Sequence, residues 1–188
     1  MSYDFSLKEN EYLSILSFNS PSNISVELCG EGAVFEYRSL LVFGENEKPE
    51  QKVHVIHKAP NTKSFLFAKH ILSDNAKAEF NGVVEVCEYC KDIESRQLVN
   101  SILLSPNAKV ISKPELKIYC DEVQCSHGST CGALDEDALF YLQSRGMGLA
   151  QAEKLLLNAF AAELHTSFSA LPMPLPFMAT SRIPSSVK

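Results

Sequence analysis

The sequence lacks several features that would place it in a common class of protein. It has no apolar run near the ~20 residues that span a bilayer, and its start carries no evident targeting segment. It also has no excess of positive charge: the net charge is −6, so neither nucleic acid nor an anionic membrane surface is an expected partner. The stretch "GEGA" at 30–33 lacks the Lys and Ser/Thr of a phosphate-binding loop, so ATP hydrolysis is not expected. We therefore expect a cytoplasmic protein with one main domain.

Cysteine is well represented, with Cys29, Cys87, Cys90, Cys120, Cys125 and Cys131. In a reducing compartment these residues are expected to be free thiols and not three disulfides. A free cysteine usually packs as a small apolar side chain. Core packing is therefore the first interpretation of each one.

Short β-type runs occupy the chain from residue 23 to about residue 130. They are rich in Val, Ile, Phe, Tyr and Leu, and Gly, Pro, Asn or Ser separates them. No helical period interrupts them, which leaves a sandwich, a barrel or a solenoid. The frame Leu-Ser-x-Asn-Ala-Lys recurs at 72–77 and 104–109 and favours the solenoid. In such a coil Asn and Gly can turn corners with left-handed backbone angles while Ala packs inward.

The pattern becomes helical at Leu134. The stretch "LDEDALFYLQSRG" predicts a helix that Asp135 caps and Gly146 ends. A second helix follows, with a predicted apolar stripe of Leu149, Ala152, Leu155, Leu156, Ala159, Phe160 and Leu164. The two helices should form a hairpin that covers the solenoid end, another protein or only itself.

Four segments follow from these patterns. We expect an N-terminal cap or arm at 1–22, a β core at 23–133, a helical domain at 134–165 and a proline-rich tail at 166–188. The tail should be flexible and should not fold alone, because it is rich in Pro and Ser. Its apolar stretch "ALPMPLPFM" is nevertheless suited to docking in a groove.

Cys125 and His127 form the most suggestive pair of side chains. Two residues apart on a strand, they would project from the same face. Two ligands are too few for a zinc site, which takes four protein ligands when structural and three when catalytic. Cys120 is expected on the opposite face and so does not add a third ligand. A catalytic pair is also disfavoured, because neighbours on one strand rarely reach the ~3 Å contact of a nucleophile and its base. The pair is therefore a weak site alone and a reasonable half-site shared with a partner.

The motif Cys87-x-x-Cys90 supports an alternative. A redox or metal role usually requires a helix start or a second such pair, so packing is the preferred interpretation. A self-contained thiol metal-binding or redox protein, using this motif with the cluster from Cys120 to Cys131, remains the competing hypothesis. His57 precedes a turn signal and is expected to fix a corner by hydrogen bonding, whereas His54 should face solvent or a polar neighbour.

The stretch "SKPELKIYCDEVQCSHGSTCGALDEDALFYLQSRGM" at 112–147 closely resembles the C-terminal signature of the SufB/SufD family of iron–sulfur cluster assembly scaffolds. Its Cys-Ser-His-Gly run matches the SufD branch, since SufB-type subunits lack that run. "HKAPNT" at 57–62 and "FNGVVEV" at 80–86 follow the family order. The resemblance covers residues 23 to 165, and family members carry further coils before this part, so the chain resembles a SufD-like subunit shortened at its N-terminus.

The resemblance implies a right-handed parallel β-helix followed by a small C-terminal helical hairpin. It further implies a non-catalytic scaffold that pairs with a SufB-like subunit and a SufC-like ATPase and is not itself an enzyme. Cys125 and His127 would then be cluster ligands at the subunit interface, where an iron–sulfur cluster is held transiently, with no tightly bound cofactor in the isolated chain. Phe140, Tyr141, Arg145 and Gly146 would belong to the ATPase-facing surface. A homodimer and a folded but inactive remnant both remain open alternatives.

Overall fold

The computed structural model describes residues 2–166, without the side chains of 165 and 166. The expected flexible tail lies outside these residues from 167 onward. Ten strands and two helices follow one another: β1 (Ser2–Leu7), β2 (Tyr12–Phe18), β3 (Asn23–Leu28), β4 (Val34–Phe43), β5 (Glu50–His57), β6 (Lys63–Leu72), β7 (Lys77–Val86), β8 (Ile93–Leu103), β9 (Lys109–Ile118), β10 (Val123–Gly132), α1 (Glu136–Ser144) and α2 (Leu149–Thr166). Neither helix has the length and apolar character needed to cross a membrane.

The strands form two parallel sheets that are the walls of a solenoid. One sheet has the order β1-β3-β5-β7-β9, and the other has the order β10-β8-β6-β4-β2. The chain alternates between the sheets, so each coil contributes one strand to each wall. Alternate residues point inward, and their side chains form the main core cluster between the walls. The predicted β-solenoid with C-terminal helices is confirmed.

The corners of the coils use left-handed backbone conformations, as the repeat suggested. The non-glycine residues with positive φ are Asn10, Asn19, Glu45, Asn61, Asp74 and Asp92. Ala76 and Ala108 are buried side by side, because β7 pairs with β9 in a register that places Lys77 opposite Lys109. One detail of the prediction was wrong: in the repeat at 72–77 the left-handed residue is Asp74 and not the Asn that follows it.

The amino-terminal segment, expected as a cap or arm, lies at the end of the solenoid as two more strands. β1 pairs with β3 and β2 pairs with β4, both in parallel register. Leu7 is buried, and Phe5, Leu13 and Ile15 pack against the main core cluster. Residues 2–18 therefore form the first coil of the described part of the chain.

The two helices begin and end largely as the sequence indicates. The Asp135 carboxylate accepts hydrogen bonds from the backbone N–H groups of Asp137 (2.9 Å) and Ala138 (3.1 Å). Gly146 has a φ of 92° directly after the C-cap of α1. These caps satisfy the helix ends.

The predicted stripe of α2 was partly wrong. Leu149 and Leu155 are exposed, whereas the buried side chains are those of Ala152, Leu157, Ala161 and Leu164. The last three of these pack with Leu40 and Ile71 on the outer face of the second sheet. The buried face of α2 is thus the face that packs on the outward residues of β4 and β6. The sequence of the helix alone does not show which face this is.

Two cations on the outer face of the second sheet hold the C-terminal half of α2. The ammonium of Lys69 donates to the Phe160 carbonyl oxygen (2.7 Å) and pairs with the Glu163 carboxylate, and it lies 4.1 Å from the centre of the Phe160 ring. The Arg38 guanidinium donates to the Leu164 carbonyl oxygen (3.1 Å). Cations at a helix C-terminus are stabilising, so this end of α2 is fixed to β4 and β6.

Replacement of Lys69 should loosen α2. Lys69→Ala removes two charge-assisted hydrogen bonds from a largely buried ammonium, so we expect a loss of about 1–3 kcal/mol in the free energy of unfolding measured in urea. Lys52→Ala is the control, because Lys52 pairs with Glu50 on the surface, and such changes stay within roughly 0.5 kcal/mol. Equal losses in the two variants would contradict this account of α2.

Candidate functional site

The end strand of the second sheet, β10, carries the Cys/His pair. β10 pairs with β8 on one edge, and no strand of the described part of the chain pairs with its other edge. In this register Cys125 stands over Ser95 and His127 over Gln97. Ser95 and Gln97 are buried inward residues, so Cys125 and His127 belong to the same inward row. The expectation that they share a face is confirmed.

The two members of the pair differ in exposure. Cys125 is half-buried and packs against the main core cluster, whereas His127 is exposed because no coil within residues 2–166 lies above it. Burial raises the pKa of the Cys125 thiol, and nearby Cys120 raises it further. The thiol is therefore protonated at neutral pH and must release a proton in order to bind a metal.

The backbone of this edge is oriented by the same stacking. The inward residue Ile93 of β8 donates its N–H to the Glu122 carbonyl oxygen at the start of β10 (3.4 Å), whereas the outward Glu94 donates to Thr62 before β6 (3.2 Å). Inward residues thus direct their backbone groups toward the β10 end of the sheet. In β10 itself, Cys125 and His127 therefore present their own N–H and C=O groups at the free edge.

The neighbouring edge strand, β9, has one hydrogen-bond donor fewer at its free edge. Pro114 is opposite Gly82 in β7, which is buried and inward-facing, so Pro114 occupies an inward position. Proline has no N–H group, and its missing donor lies on the free edge. A strand that added to β9 would lack one hydrogen bond at Pro114, while β10 offers an uninterrupted edge.

Three further thiols, those of Cys87, Cys90 and Cys120, belong to or pack against the same core cluster as Cys125. Cys87 and Cys90 bracket a turn in which the Cys90 N–H donates to the Cys87 carbonyl oxygen (3.2 Å), and the Cys90 thiol donates to the His57 carbonyl oxygen (3.2 Å). Cys120 packs against the same core cluster as Cys125. Burial raises the pKa of both Cys90 and Cys120, and the neighbouring thiols contribute.

The position of Cys120 corrects an expectation. It was predicted on the face opposite Cys125, on the assumption of one continuous strand. β9 ends at Ile118 and β10 begins at Val123, so a corner lies between the two cysteines and both meet the core. Cys131 is exposed, six residues or ~20 Å along the strand from Cys125. The cluster from Cys120 to Cys131 is therefore divided between two places.

No group of three or more His, Cys, Asp or Glu side chains within residues 2–166 has the arrangement to hold a metal ion. Cys125 and His127 supply two donors of types that bind iron, a thiolate and an imidazole. The donor types present fit part of an iron site, and a complete site built on them would need further ligands from elsewhere.

A buried polar column beneath the pair was not recognised in the sequence. The His57 ring bonds Thr62 (2.8 Å, through Nδ1) and Ser64 (2.9 Å, through Nε2), and Ser64 bonds the Ser95 hydroxyl (2.8 Å). Ser95 is the register neighbour of Cys125. His57 does fix a corner, as predicted, and the outward His54 lies 3.5 Å from the Glu85 carboxylate. The signal for this column in the sequence was the presence of polar residues at positions 64, 95 and 97, which lie among the inward-facing positions of β6 and β8.

Gln97 lies directly below His127 in this row. Its Nε2 donates to the Glu115 carbonyl oxygen across the interior (3.2 Å). Gly82 makes room for the amide, because a Cβ there would lie 2.3 Å from Gln97 Oε1 and 2.7 Å from the Phe80 ring. The glycine of "FNGVVEV" is therefore required by close packing.

The residues assigned to an ATPase-facing surface lie on and after α1. Phe140 is 74% exposed and Tyr141 is 57% exposed, and α1 buries none of its side chains. The Arg145 guanidinium lies 5.3 Å from the centre of the Tyr141 ring, and Gly146 ends the helix. All four residues are exposed, and they follow Cys125 and His127 in the sequence by more than ten residues.

Comparisons with known proteins agree on one family. A family model described as "SUF system FeS cluster assembly, SufBD core domain" matches residues 10–160. The chain is 36% identical over 142 residues to the iron-sulfur cluster assembly protein SufD of Escherichia coli (strain K12), covering 76% of this chain and 34% of that protein. It is 32% identical over 147 residues to Protein ABCI7, chloroplastic, of Arabidopsis thaliana, covering 78% of this chain and 31% of that protein. The chain thus spans about a third of the length of these curated relatives.

The free energy of unfolding should decrease as the pH is lowered, because His57 and His70 are buried. Burial lowers the pKa of each to about 4, below the unfolded value of about 6.5. Their stabilisation is therefore complete above pH 6.5 and is lost as the pH falls from 6.5 toward 4. Between pH 7 and pH 5 each should cost about 2 kcal/mol. His70→Gln should lose less stability over that range than the unchanged chain in urea titrations, and an unaltered pH dependence would contradict the prediction.

Substitution of Gly82 should disturb the interior below His127. We expect Gly82→Ala to cost about 1–3 kcal/mol, because the methyl group must displace Gln97 or Phe80. Gly132→Ala is the matched control on an edge strand, since a Cβ there meets no atom within 4 Å. Thermal unfolding of the two variants should separate them clearly. Comparable melting temperatures for the two would show that the interior has more room than these distances indicate.

Proposed function

Because this chain belongs to the SufBD core family of iron–sulfur cluster assembly proteins, we propose that it is a non-catalytic scaffold subunit that holds one side of a nascent cluster. The observation that carries the proposal is the position of Cys125 and His127. They share one face of an edge strand that pairs with β8 only, and no third ligand among the described residues joins them. A site of this kind is complete only when a second chain supplies the remaining donors.

The free edge of β10 provides the means of joining that second chain. Cys125 and His127 present their backbone groups at this edge, so a partner strand that bonds there lies directly beside their side chains. Addition of a strand to an exposed edge is a common mode of protein association. We propose a SufB-like subunit as this partner. Two copies of the present chain are the alternative pairing, because each carries the same edge.

The chemistry of the pair suits a cluster that is assembled and then released. Iron–sulfur clusters are held mainly by thiolates, and an imidazole in place of a thiolate is also known. Burial keeps the Cys125 thiol protonated, so binding of iron must displace its proton. Two donors from one chain bind less tightly than four, which allows the cluster to leave when the chains separate. The cluster is thus cargo, and the chain supplies position and donors.

The exposed surface of α1 is the proposed docking site of a SufC-like ATPase. Phe140 and Tyr141 expose large aromatic area, and aromatic and Arg side chains are enriched at protein interfaces. α1 packs on α2, and the Lys69 and Arg38 contacts fix α2 to β4 and β6. A force on α1 therefore passes to the second sheet, of which β10 is the edge.

A second candidate rests on the corner thiols Cys87, Cys90 and Cys120. Together they allow a self-contained thiol metal-binding or redox function. The lack of a ligand group among residues 2–166 disfavours metal binding by the isolated chain. Anaerobic measurement of iron, zinc and sulfide in the purified chain separates the candidates, because a stoichiometric metal without a partner would support the thiol protein.

The central test is co-expression with SufB-like and SufC-like partners and anaerobic size exclusion. We expect one complex that contains all chains and carries iron and sulfide. Cys125→Ala or His127→Ala should leave the complex assembled and lower its iron and sulfide by at least fivefold, because a donor is lost and the edge backbone is intact.

Cys131→Ala is the matched control for this experiment. Cys131 lies on the same inward row of β10, in register with Ser101 and remote from Cys125, so its loss should leave cluster content unchanged. The proposal is contradicted if the three variants lose cluster equally, or if the chain never co-elutes with its partners.

A further inference from the structure

The corner that joins the first sheet to the second differs in length between two successive coils. Residues 87–92 connect β7 to β8, whereas only residues 119–122 connect β9 to β10. The longer corner has two additional residues, Glu88 and Tyr89. Both are exposed, Tyr89 at 93%, and they form the tip of a turn that projects from the solenoid. The rest of the longer corner can therefore follow the shorter one residue by residue.

The register of β8 and β10 continues backward into this corner. Ile93 lies opposite Val123, and its N–H donates to the carbonyl oxygen of Glu122 (3.4 Å). Three residues before this pair, Cys90 lies on the one chain segment and Cys120 on the other. Because the projecting tip of the turn precedes Cys90, each step between these positions is matched. Cys120 therefore stands over Cys90 in the next coil.

The coil below supports this alignment. Asn61 and Asp92 occupy matched positions just before β6 and β8, and both have left-handed backbone angles, with φ of 54° and 55°. Two residues earlier, Ala59 and Cys90 are both buried. Ala59, Cys90 and Cys120 thus form one column of small side chains at this corner.

Both thiols of the column meet the interior. Cys90 is 5% exposed and belongs to the main core cluster, and Cys120 is half-buried and packs against the same cluster. Burial raises the pKa of the Cys90 thiol, and Cys87 and Cys120 raise it further, as expected for thiols that lie close together. Neighbouring strands in register lie ~4.8 Å apart, and a disulfide spans about 4.4–6.8 Å between Cα atoms. The stacking distance of two coils is therefore compatible with a disulfide.

The two thiols differ in their access to solvent. No coil within residues 2–166 lies above Cys120, so a small reagent can reach this thiol first. The buried Cys90 thiol now donates to the His57 carbonyl oxygen (3.2 Å). A disulfide would remove that hydrogen bond, but the same oxygen still accepts from the Cys87 N–H (3.1 Å). Disulfide formation therefore leaves no buried carbonyl without a donor at this corner.

We propose that Cys90 and Cys120 form a site of reversible thiol oxidation, whose disulfide fastens the coil of β9 and β10 to the coil of β7 and β8. The Cys120 thiolate attacks one sulfur of a small-molecule disulfide such as oxidised glutathione, and one reduced glutathione leaves. The Cys90 thiolate then attacks the Cys120 sulfur and expels the second glutathione. The two cysteines lose two protons and two electrons, which convert one oxidised glutathione into two reduced ones. No cluster or partner takes part, so the proposal does not depend on the proposed function.

Equilibration of the unmodified chain in a buffer of oxidised and reduced glutathione tests the proposal. Two of its six thiols should become unreactive toward an alkylating reagent. A protease that cleaves after glutamate then gives the fragments 89–94 and 116–122, each of which contains a single cysteine. Mass spectrometry should recover these two fragments joined by a disulfide, at least tenfold more abundant than any other pairing.

Two serine variants form a matched pair for this experiment. Cys120→Ser should abolish the linkage, whereas Cys131→Ser removes an exposed thiol of β10 and should leave the yield unchanged. In urea the unfolded chain should instead join Cys87 to Cys90, because closing a short loop costs less entropy than closing a long one. The proposal is overturned if the folded chain also joins Cys87 to Cys90, if it joins Cys120 to Cys125, or if all six thiols stay reactive in fully oxidised glutathione.

Hydrogen exchange supplies a second reading, on the fastening of β10. Gln124 and Ser126 are outward residues of β10, so their N–H groups bond toward β8. In the oxidised chain these two amides should exchange at least tenfold more slowly than in the reduced chain. Cys120→Ser treated with the same buffer should show no change. A disulfide that forms without slowing this exchange would overturn the claim that the bond fastens the coil.

Discussion

In-register parallel stacking is the constraint on which the rest of the molecule depends. It links the face of a side chain to the direction of its backbone hydrogen bonds, so every inward residue bonds toward one end of the solenoid. In β10, the residues whose side chains face inward, such as Cys125 and His127, are therefore the same residues whose N–H and C=O groups lie at the free edge. At the β2 end, the outward residues offer them instead. The two ends are chemically different although they belong to one sheet.

Much of this architecture could be predicted from local sequence. The Leu-Ser-x-Asn-Ala-Lys repeat identified a corner with buried Ala76 and Ala108, and Asp135 and Gly146 marked the limits of α1. Contacts between distant segments could not be predicted in this way. The buried face of α2 depends on Lys69 and Ile71, which precede it by some eighty residues. Cys120 was misplaced because its orientation depends on a corner that the strand pattern concealed.

The candidate site was only half visible for a related reason. The spacing of Cys125 and His127 placed them on one face, and their register over Ser95 and Gln97 agrees. The support beneath them, including the His57, Ser64 and Ser95 bonds, comes from two successive coils, β5–β6 and β7–β8, and leaves no local signature. The contrast between a firmly packed interior and an exposed His127 fits the proposed scaffold role, in which the site is held in place and open to a partner.

The most direct test of the central claim is the identity of the nitrogen that binds the cluster. This chain would be labelled alone with ¹⁵N-histidine, assembled anaerobically with unlabelled SufB-like and SufC-like partners, and reduced for pulsed electron paramagnetic resonance. A ¹⁵N coupling of the size expected for a metal-bound imidazole should be present, lost in His127→Ala and retained in His54→Ala. A cluster that shows no such coupling, or one that survives His127→Ala, would contradict the assignment of His127 as a ligand.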